Sequence, residues 1–375
     1  MTTPKATPVG PVSVPSKEST RGARAEEMQG AVWRGQSVDR LPLLIEVSGQ
    51  PWDGKQHTLE EQVADPRKMA EEALRAVEAQ CPVVSDSVLC VRPQFGVGLF
   101  ATPFGVEYEL SARYATPWVK STPSKEHLSR LGTGDLDIEG STIGQSAEVL
   151  RLYRDTFQGA VETFLPDTQG PFDIAHQARG HDIFTDIFDD PPFVHHLMEL
   201  ATHTYIEGTR LLKQAGEEGP SEGHHSGCLR MVDCGVRMCD DSGVILSPTQ
   251  YAEFVGPYHE RALAAFGGGW AHWCGDAPHL TDAYLAMESC KGINLGQPEL
   301  YDQSELLSRV VEAGKVYFGL LHRAAEESAE DFLSRVLRDL GGERRGLILI
   351  CPPRQDESKE GLMDLWAELQ EAGQT

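Results

Sequence analysis

A histidine and a cysteine two residues apart, in Ala271-His272-Trp273-Cys274-Gly275, are the residues of this chain with the most chemistry to offer. In an extended strand, residues i and i+2 point to the same side, with Cα atoms about 6.6 Å apart. An imidazole and a thiolate at that separation reach one tetrahedral ion. Trp273 then faces the opposite way, into a helix layer, and Gly275 lets the chain turn sharply at the strand end. Cys351 offers a third ligand: it ends the apolar run Leu347-Ile348-Leu349-Ile350, and Pro352-Pro353 stops the strand at once. Three protein ligands with one position left open describe a reactive zinc site, and two thiolates select zinc over magnesium or calcium. A buried histidine beside two inert core cysteines has the same spacing, so the pattern alone leaves both readings open.

These residues need elements that bring them together. Eight short apolar runs are legible, at roughly Leu41–Val47, Val83–Cys90, Glu162–Leu165, Val236–Cys239, Trp270–Trp273, Gly292–Leu295, Val316–Leu321 and Leu347–Ile350. Several are continuous rather than alternating, as strands covered on both faces should be. Helix starts separate them. Asp65-Pro66 and Asp190-Pro191 pair an N-cap with proline at the first helical position, and Ser247-Pro248 with Gln250 makes a capping box. Further helices are expected over Ser304–Ala313 and Ser328–Leu340. Strand and helix in alternation imply a parallel sheet with helical crossovers, and eight strands imply an α/β (β/α)8 TIM barrel. Residues 92–160 exceed one crossover, which makes the N-terminal half elaborated. The expected organisation is a flexible tail over 1–21 and a single barrel domain over 22–375.

In such a barrel, function gathers where strands end. The polar residues at those ends are Ser48 and Gln50 after the first run, Gln169 after the third, and Asp240 and Asp241 after the fourth. His272 and Cys274 belong to the fifth, Gln297 to the sixth, His322 to the seventh and Cys351 to the eighth. Asp86, flanked by Val84 and Val88, needs a partner or a task, because a carboxylate within an apolar strand is costly. Cys228, Cys234 and Cys239 near His224 and His225 read as buried or solvent-lining thiols, since the odd separation of Cys234 and Cys239 turns them to opposite faces. His195, His196 and His203 read as packing or surface residues. Gly267-Gly268-Gly269 precedes a strand instead of opening a helix, so it is no phosphate loop. Neither a dinucleotide fingerprint nor a nucleophile elbow is present.

Bulk properties narrow the function classes. The 375 residues carry 57 acidic and 33 basic side chains, a net charge of -24, which repels phosphate backbones and anionic lipid. The first twenty residues hold no apolar run long enough for a signal peptide, and no window of the chain approaches a membrane span, so a cytoplasmic location is expected. Eight cysteines without scaffold-like spacing fit thiols or metal ligands in a reducing compartment.

In the order and spacing of its marks the chain resembles the uroporphyrinogen decarboxylase-like superfamily over roughly residues 22–355. Those marks are Asp39-Arg40-Leu41-Pro42, Gln169-Gly170-Pro171-Phe172, Asp240-Asp241-Ser242-Gly243 with Leu246-Ser247-Pro248, Phe254-Val255 with Pro257-Tyr258, His272-Trp273-Cys274-Gly275, and Leu347 to Cys351. The resemblance implies one of two branches. True decarboxylases use no metal, hold pyrroles on an aspartate and grip carboxylates with arginines. Cobamide-dependent methyltransferases bind zinc through His-x-Cys and a distant cysteine, and activate a thiol acceptor. Asp86 matches the pyrrole-binding aspartate. The segment Glu46-Val47-Ser48-Gly49-Gln50-Pro51, however, lacks the arginines, His176 stands near the expected tyrosine, and Cys351 replaces a histidine. His272, Cys274 and Cys351 match the methyltransferase branch, with Pro352-Pro353 in place of the usual glycine. The expectation is zinc on His272, Cys274 and Cys351, catalytic roles for Asp86, Asp240 and Asp241, and cofactor contacts from Gln169, His176 and His322. A methyl group would pass between a corrinoid, perched on a partner protein over the barrel mouth, and a thiol. A cofactor-free decarboxylase and a non-catalytic barrel that binds a corrinoid or small ligand are the alternatives.

Overall fold

The structure is a computed structural model, and it describes Ser16 and residues 22–45, 57–111 and 116–372. The tail read over 1–21 lies outside the described residues except for Ser16, and so do Ser48, Gln50 and the rest of the segment 46–51.

Twelve strands are described: β1 Leu43–Leu44, β2 Cys90–Val91, β3 Glu107–Ser111, β4 Thr116–Ser121, β5 Glu162–Thr163, β6 Glu222–His225, β7 Leu229–Val232, β8 Val236–Cys239, β9 Gly269–Trp273, β10 Cys290–Leu295, β11 Val316–Leu320 and β12 Leu347–Ile350. Each of the eight apolar runs overlaps one of them, the second only at Cys90. Six form a parallel sheet in the order β1-β12-β11-β10-β9-β8. β2 and β5 form a separate parallel pair. Backbone contacts reach from that pair to both edges of the sheet. Gln169 bridges Cys239 of β8 in parallel, the Cys239 N–H donates to the Thr168 carbonyl at 3.1 Å, and the Asp86 N–H donates to the Leu43 carbonyl at 3.1 Å. The molecule is thus an α/β structure whose parallel sheet is compatible with a TIM-like arrangement.

The continuous apolar strands are covered on both faces. In β12, Leu347, Ile348 and Leu349 are buried, and each such side chain contributes roughly 1.5–3 kcal/mol on burial. The covering helices begin where their caps predict. Asp65 accepts the Arg67 N–H ahead of Pro66–Gln80, Asp190 accepts the Phe193 N–H ahead of Pro191–Gly216, and Ser247 with Gln250 closes a capping box on Pro248–Phe254. The last helix, Lys359–Ala372, is tied to the segment before β1: Trp366 Nε1 donates to the Leu41 carbonyl at 2.8 Å, and Gln370 Oε1 accepts the Leu41 N–H at 2.8 Å. Two hairpins fall outside the eight runs. β3–β4 occupies the long stretch before β5, and β6–β7 precedes β8. The second is polar at His224 and His225, which hides its strand character.

Asp86 has its partner, and the partner is structural. Its two carboxylate oxygens accept from Arg40 Nη1 and Nη2 at 2.7 Å each, and Oδ2 also accepts the Leu43 N–H at 2.8 Å. The residue stands at the entry of its strand, four positions before β2, whereas Asp241 and Cys274 follow the ends of theirs. A bidentate guanidinium and a backbone donor engage both oxygens, which is the partner a carboxylate within an apolar run needs. Because removal of one partner leaves a buried charge uncompensated, Asp86→Ala is expected to cost about 3 kcal/mol in urea denaturation. The double replacement Arg40→Met/Asp86→Leu should recover most of that loss, and bound metal should be unchanged in both.

Candidate metal centre

The register between β8 and β9 sets the site. Cys239 lies beside His272, so both side chains leave the sheet on the same face. Alternation then puts Arg237, Cys239 and Asp241 on that face of one strand, and Trp270, His272 and Cys274 on that face of the other. Asp240 and Trp273 point to the opposite face, where Trp273 stacks on Tyr284 with centroids 5.6 Å apart and donates to Tyr301 at 2.9 Å. The helix-facing orientation expected for Trp273 is what the structure has. Gly275 takes φ +97°, so the chain turns directly after Cys274 through a conformation that suits glycine.

Ligand atoms of Cys239, Asp241 and His272 lie within 4.8 Å of one another, the one group of this kind among the described residues able to hold a metal ion. Cys274 adds a second sulfur 3.7 Å from His272 Nε2. His272 is oriented for coordination. Its Nδ1 bonds to Asn294 Oδ1 at 2.5 Å, and Asn294 Nδ2 donates to the Phe318 carbonyl at 2.5 Å. With Asn294 fixed as acceptor, the proton sits on Nδ1 and the Nε2 lone pair faces the sulfurs, the tautomer and ring orientation that coordination through Nε2 requires. Burial, then the Arg237 charge, holds the His272 pKa below its usual value, so the ring is neutral. Burial raises the thiols of Cys239 and Cys274, and Asp241 adds to both.

The carboxylates divide the work. Asp241 accepts the Cys274 N–H at 2.7 Å through Oδ1 and the Cys239 thiol at 3.2 Å through Oδ2. Asp240 is fully buried and receives the hydroxyls of Tyr251 and Tyr284 at 2.8 Å each on Oδ2, with the Gly243 N–H at 3.2 Å on Oδ1. His259 stands behind them, its Nδ1 2.9 Å from the Tyr284 hydroxyl. Asp240 therefore braces the strand end from the helix side and does not face the cluster. Asp173, on the helix Pro171–Arg179, accepts the Asp241 and Ser242 N–H groups at 3.1 and 2.8 Å. Burial, reinforced by Asp240 and Asp241, pushes its pKa well up.

The structure does not gather the expected triad. Cys351 is buried at the end of β12, its N–H on the Leu44 carbonyl at 2.9 Å. Burial pushes its thiol up to about 11, with Arg323 opposing, and its other charged neighbours are Glu357 and Arg354. By sheet register Leu44 pairs with Ile350 and Leu349 with Gly319, so Cys351 shares the parity of Leu349, the face opposite Phe318 and Ile348. His272 instead meets Cys239, which its sequence neighbourhood had marked as an ordinary buried thiol. The missed signal was Cys239-Asp240-Asp241 read with strand alternation, which puts the thiol and the second carboxylate on one side.

The three expected cofactor contacts are scattered near the same end. Gln169 is buried in its bridge to Cys239. His176 bonds Ser242 Oγ at 2.7 Å and His181 Nδ1 at 3.0 Å. His322 is exposed after β11, its carbonyl accepting from Arg335 at 2.8 Å. His195 stacks on Phe254 at 4.8 Å and bonds the Tyr258 hydroxyl at 2.9 Å, a packing role as expected.

Two outcomes follow from this geometry. Asn294→Leu frees the His272 ring and should weaken metal binding by about 10- to 100-fold, read by competition with a chromogenic chelator. Burial, then His181, lowers the His176 pKa to about 4. A histidine lowered on folding takes up its proton first in the unfolded chain, so its stabilisation is complete above the unfolded value of about 6.5 and is lost as pH falls toward 4. His176→Asn should flatten the denaturation midpoint across that window.

No protein-family model matches the chain, and no curated protein matches it in sequence. Among solved structures the fold is similar to that of a methyltransferase from Methanosarcina mazei, with a TM-score of 0.64 and 14% identity over 94% of this chain and 99% of that one.

Proposed function

We propose that the chain is a methyltransferase of the uroporphyrinogen decarboxylase-like superfamily, a single barrel domain over 22–375 that uses zinc. The observation that carries this reading is the His272 Nε2 lone pair set among Cys239, Asp241 and Cys274 while Asn294 holds Nδ1. One imidazole and two sulfurs form a donor set that suits zinc and leaves a fourth position for a thiol, while Asp241 holds the two cysteines through its carboxylate oxygens. The fold shared with the Methanosarcina methyltransferase supports the same reading. Contacts of β2 and β5 with both edges of the six-stranded sheet support closure into eight strands.

His272, Cys239 and Cys274 would hold the zinc, which would lower the pKa of a coordinated thiol and so supply a thiolate at neutral pH. The chain's own residues do the positioning. Asn294 fixes the His272 tautomer, Asp241 holds the turn that presents Cys274, and Asp173 holds the backbone of Asp241. A corrinoid bound over the site would supply the methyl group, its methyl–cobalt bond breaking as the thiolate forms the new carbon–sulfur bond. Gln169, His176 and His322 are assigned to the corrinoid side, with the corrinoid carried by a partner protein. The decarboxylase reading needs Asp86 for a pyrrole, and Arg40 occupies both of its oxygens.

Metal analysis of purified protein tests the reading and assigns the ligands. One zinc per chain is expected, lost in Cys239→Ser and in Cys274→Ser. Zinc retained in Cys351→Ser places the ion on the cluster around His272. Zinc lost in Cys351→Ser and kept in Cys239→Ser restores the triad of His272, Cys274 and Cys351. A wild-type protein that takes up no zinc sinks the mechanism.

A further inference from the structure

A second polar feature adjoins the metal-capable cluster. A cavity of about 440 Å³ is lined by Arg92, Arg237, Asp167, His225, Phe164 and Ser226, among others. Arg237 sits on β8 two residues before Cys239, on the same face of the strand. It ion-pairs with Asp167, whose other oxygen lies 3.3 Å from Arg92 Nη1. Burial alone would raise the Asp167 pKa, but Arg237 and Arg92 override it and hold the carboxyl far below its usual range. Burial, with both arginines, pushes His225 well below its ordinary value, so the ring is neutral.

The charges that line the cavity do not cancel. Two guanidiniums face one carboxylate, which leaves one positive charge over, in a chain whose net charge is -24. Two nitrogens are also left over. Arg237 Nε and His225 Nε2 are buried without a hydrogen-bond partner. The Arg237 side chain is 10% exposed and His225 is 8% exposed, so solvent does little for either. Buried donors of this kind ordinarily find an acceptor. His225 Nδ1 is 2.8 Å from Ser226 Oγ. With the serine hydroxyl donating to Nδ1, the Nε2–H becomes a donor. Phe164 supplies an apolar wall and lies under Arg92, 5.8 Å from Cζ to the ring centroid.

We propose that this cavity binds the carboxylate of a small organic acid, held by Arg237, Arg92 and His225, with the rest of the molecule directed toward His272 and its neighbours. A guanidinium pair matches the planar, two-oxygen geometry of a carboxylate. The site is independent of whether the neighbouring cluster holds zinc.

Ligand-observed NMR titration of the full chain with propionate, and with propionamide as its uncharged isostere, tests this. Propionate should bind and propionamide should not. Arg92→Gln should weaken propionate binding about tenfold, the loss of one charge-assisted hydrogen bond, and Arg237→Met should abolish it. Arg309→Gln removes an equal charge from a surface pair with Asp282 and should leave binding as it was. If Arg237→Met fails to fold, Arg92→Gln alone decides. Equal binding of the acid and the amide, or wild-type affinity in Arg92→Gln, overturns the proposal. Loss of zinc in Cys239→Ser with propionate binding intact would separate this site from the metal centre.

Discussion

The parallel register of β8 against β9 is the constraint on which the site rests. The Asp240 N–H donates to the His272 carbonyl at 2.8 Å, one rung of a ladder that places Cys239 beside His272. A slip of one residue would turn every side chain of one strand to the other face. Cys239 and Asp241 would then point into the helices, and Asp240 would meet the imidazole. Nothing in the ligands themselves prevents that slip. The packing behind the sheet does, because Asp240 accepts from two tyrosine hydroxyls and the Gly243 N–H, donors it would lose on turning to the other face.

That arrangement explains why a buried, hydrogen-bonded carboxylate and an exposed one sit side by side. Asp240 stabilises position, and Asp241 reaches the reactive face. The same division appears at His272, where Asn294 has the structural task and Nε2 the chemical one. Gly319 belongs to this support. It takes φ +138°, and a Cβ there would run into the Asn294 amide, so the strand next to β10 must be bare for Asn294 to turn toward His272.

The electrostatics are local rather than global. An acidic surface accounts for most of the net charge, yet the groups around His272 include the buried Arg237, which burial disfavours but Asp167 holds firmly protonated. A guanidinium next to a metal-capable cluster lowers the basicity of the imidazole and favours anionic ligands nearby. Composition alone gave no hint of this cationic pocket, since long-range net charge and the arginine pair of Arg237 and half-buried Arg92 act over different distances.

Much of the architecture was legible from local signals. Caps at Asp65, Asp190 and Ser247 mark helix starts because their side chains satisfy backbone N–H groups within three residues, and apolar runs such as Leu347–Ile350 mark strands because both faces must be covered. The His272-x-Cys274 pair was legible for the same reason, as strand alternation is a local rule. The hairpin β6–β7 was not, because polar residues in a strand carry no periodic signal when one face meets a cavity. What only the tertiary structure decided is which distant residues share a point. It set Asp86 against Arg40, brought Cys239 to His272 and left Cys351 on another face of β12, since register and strand neighbours are fixed by packing across the sheet, and spacing along the chain carries no information about them.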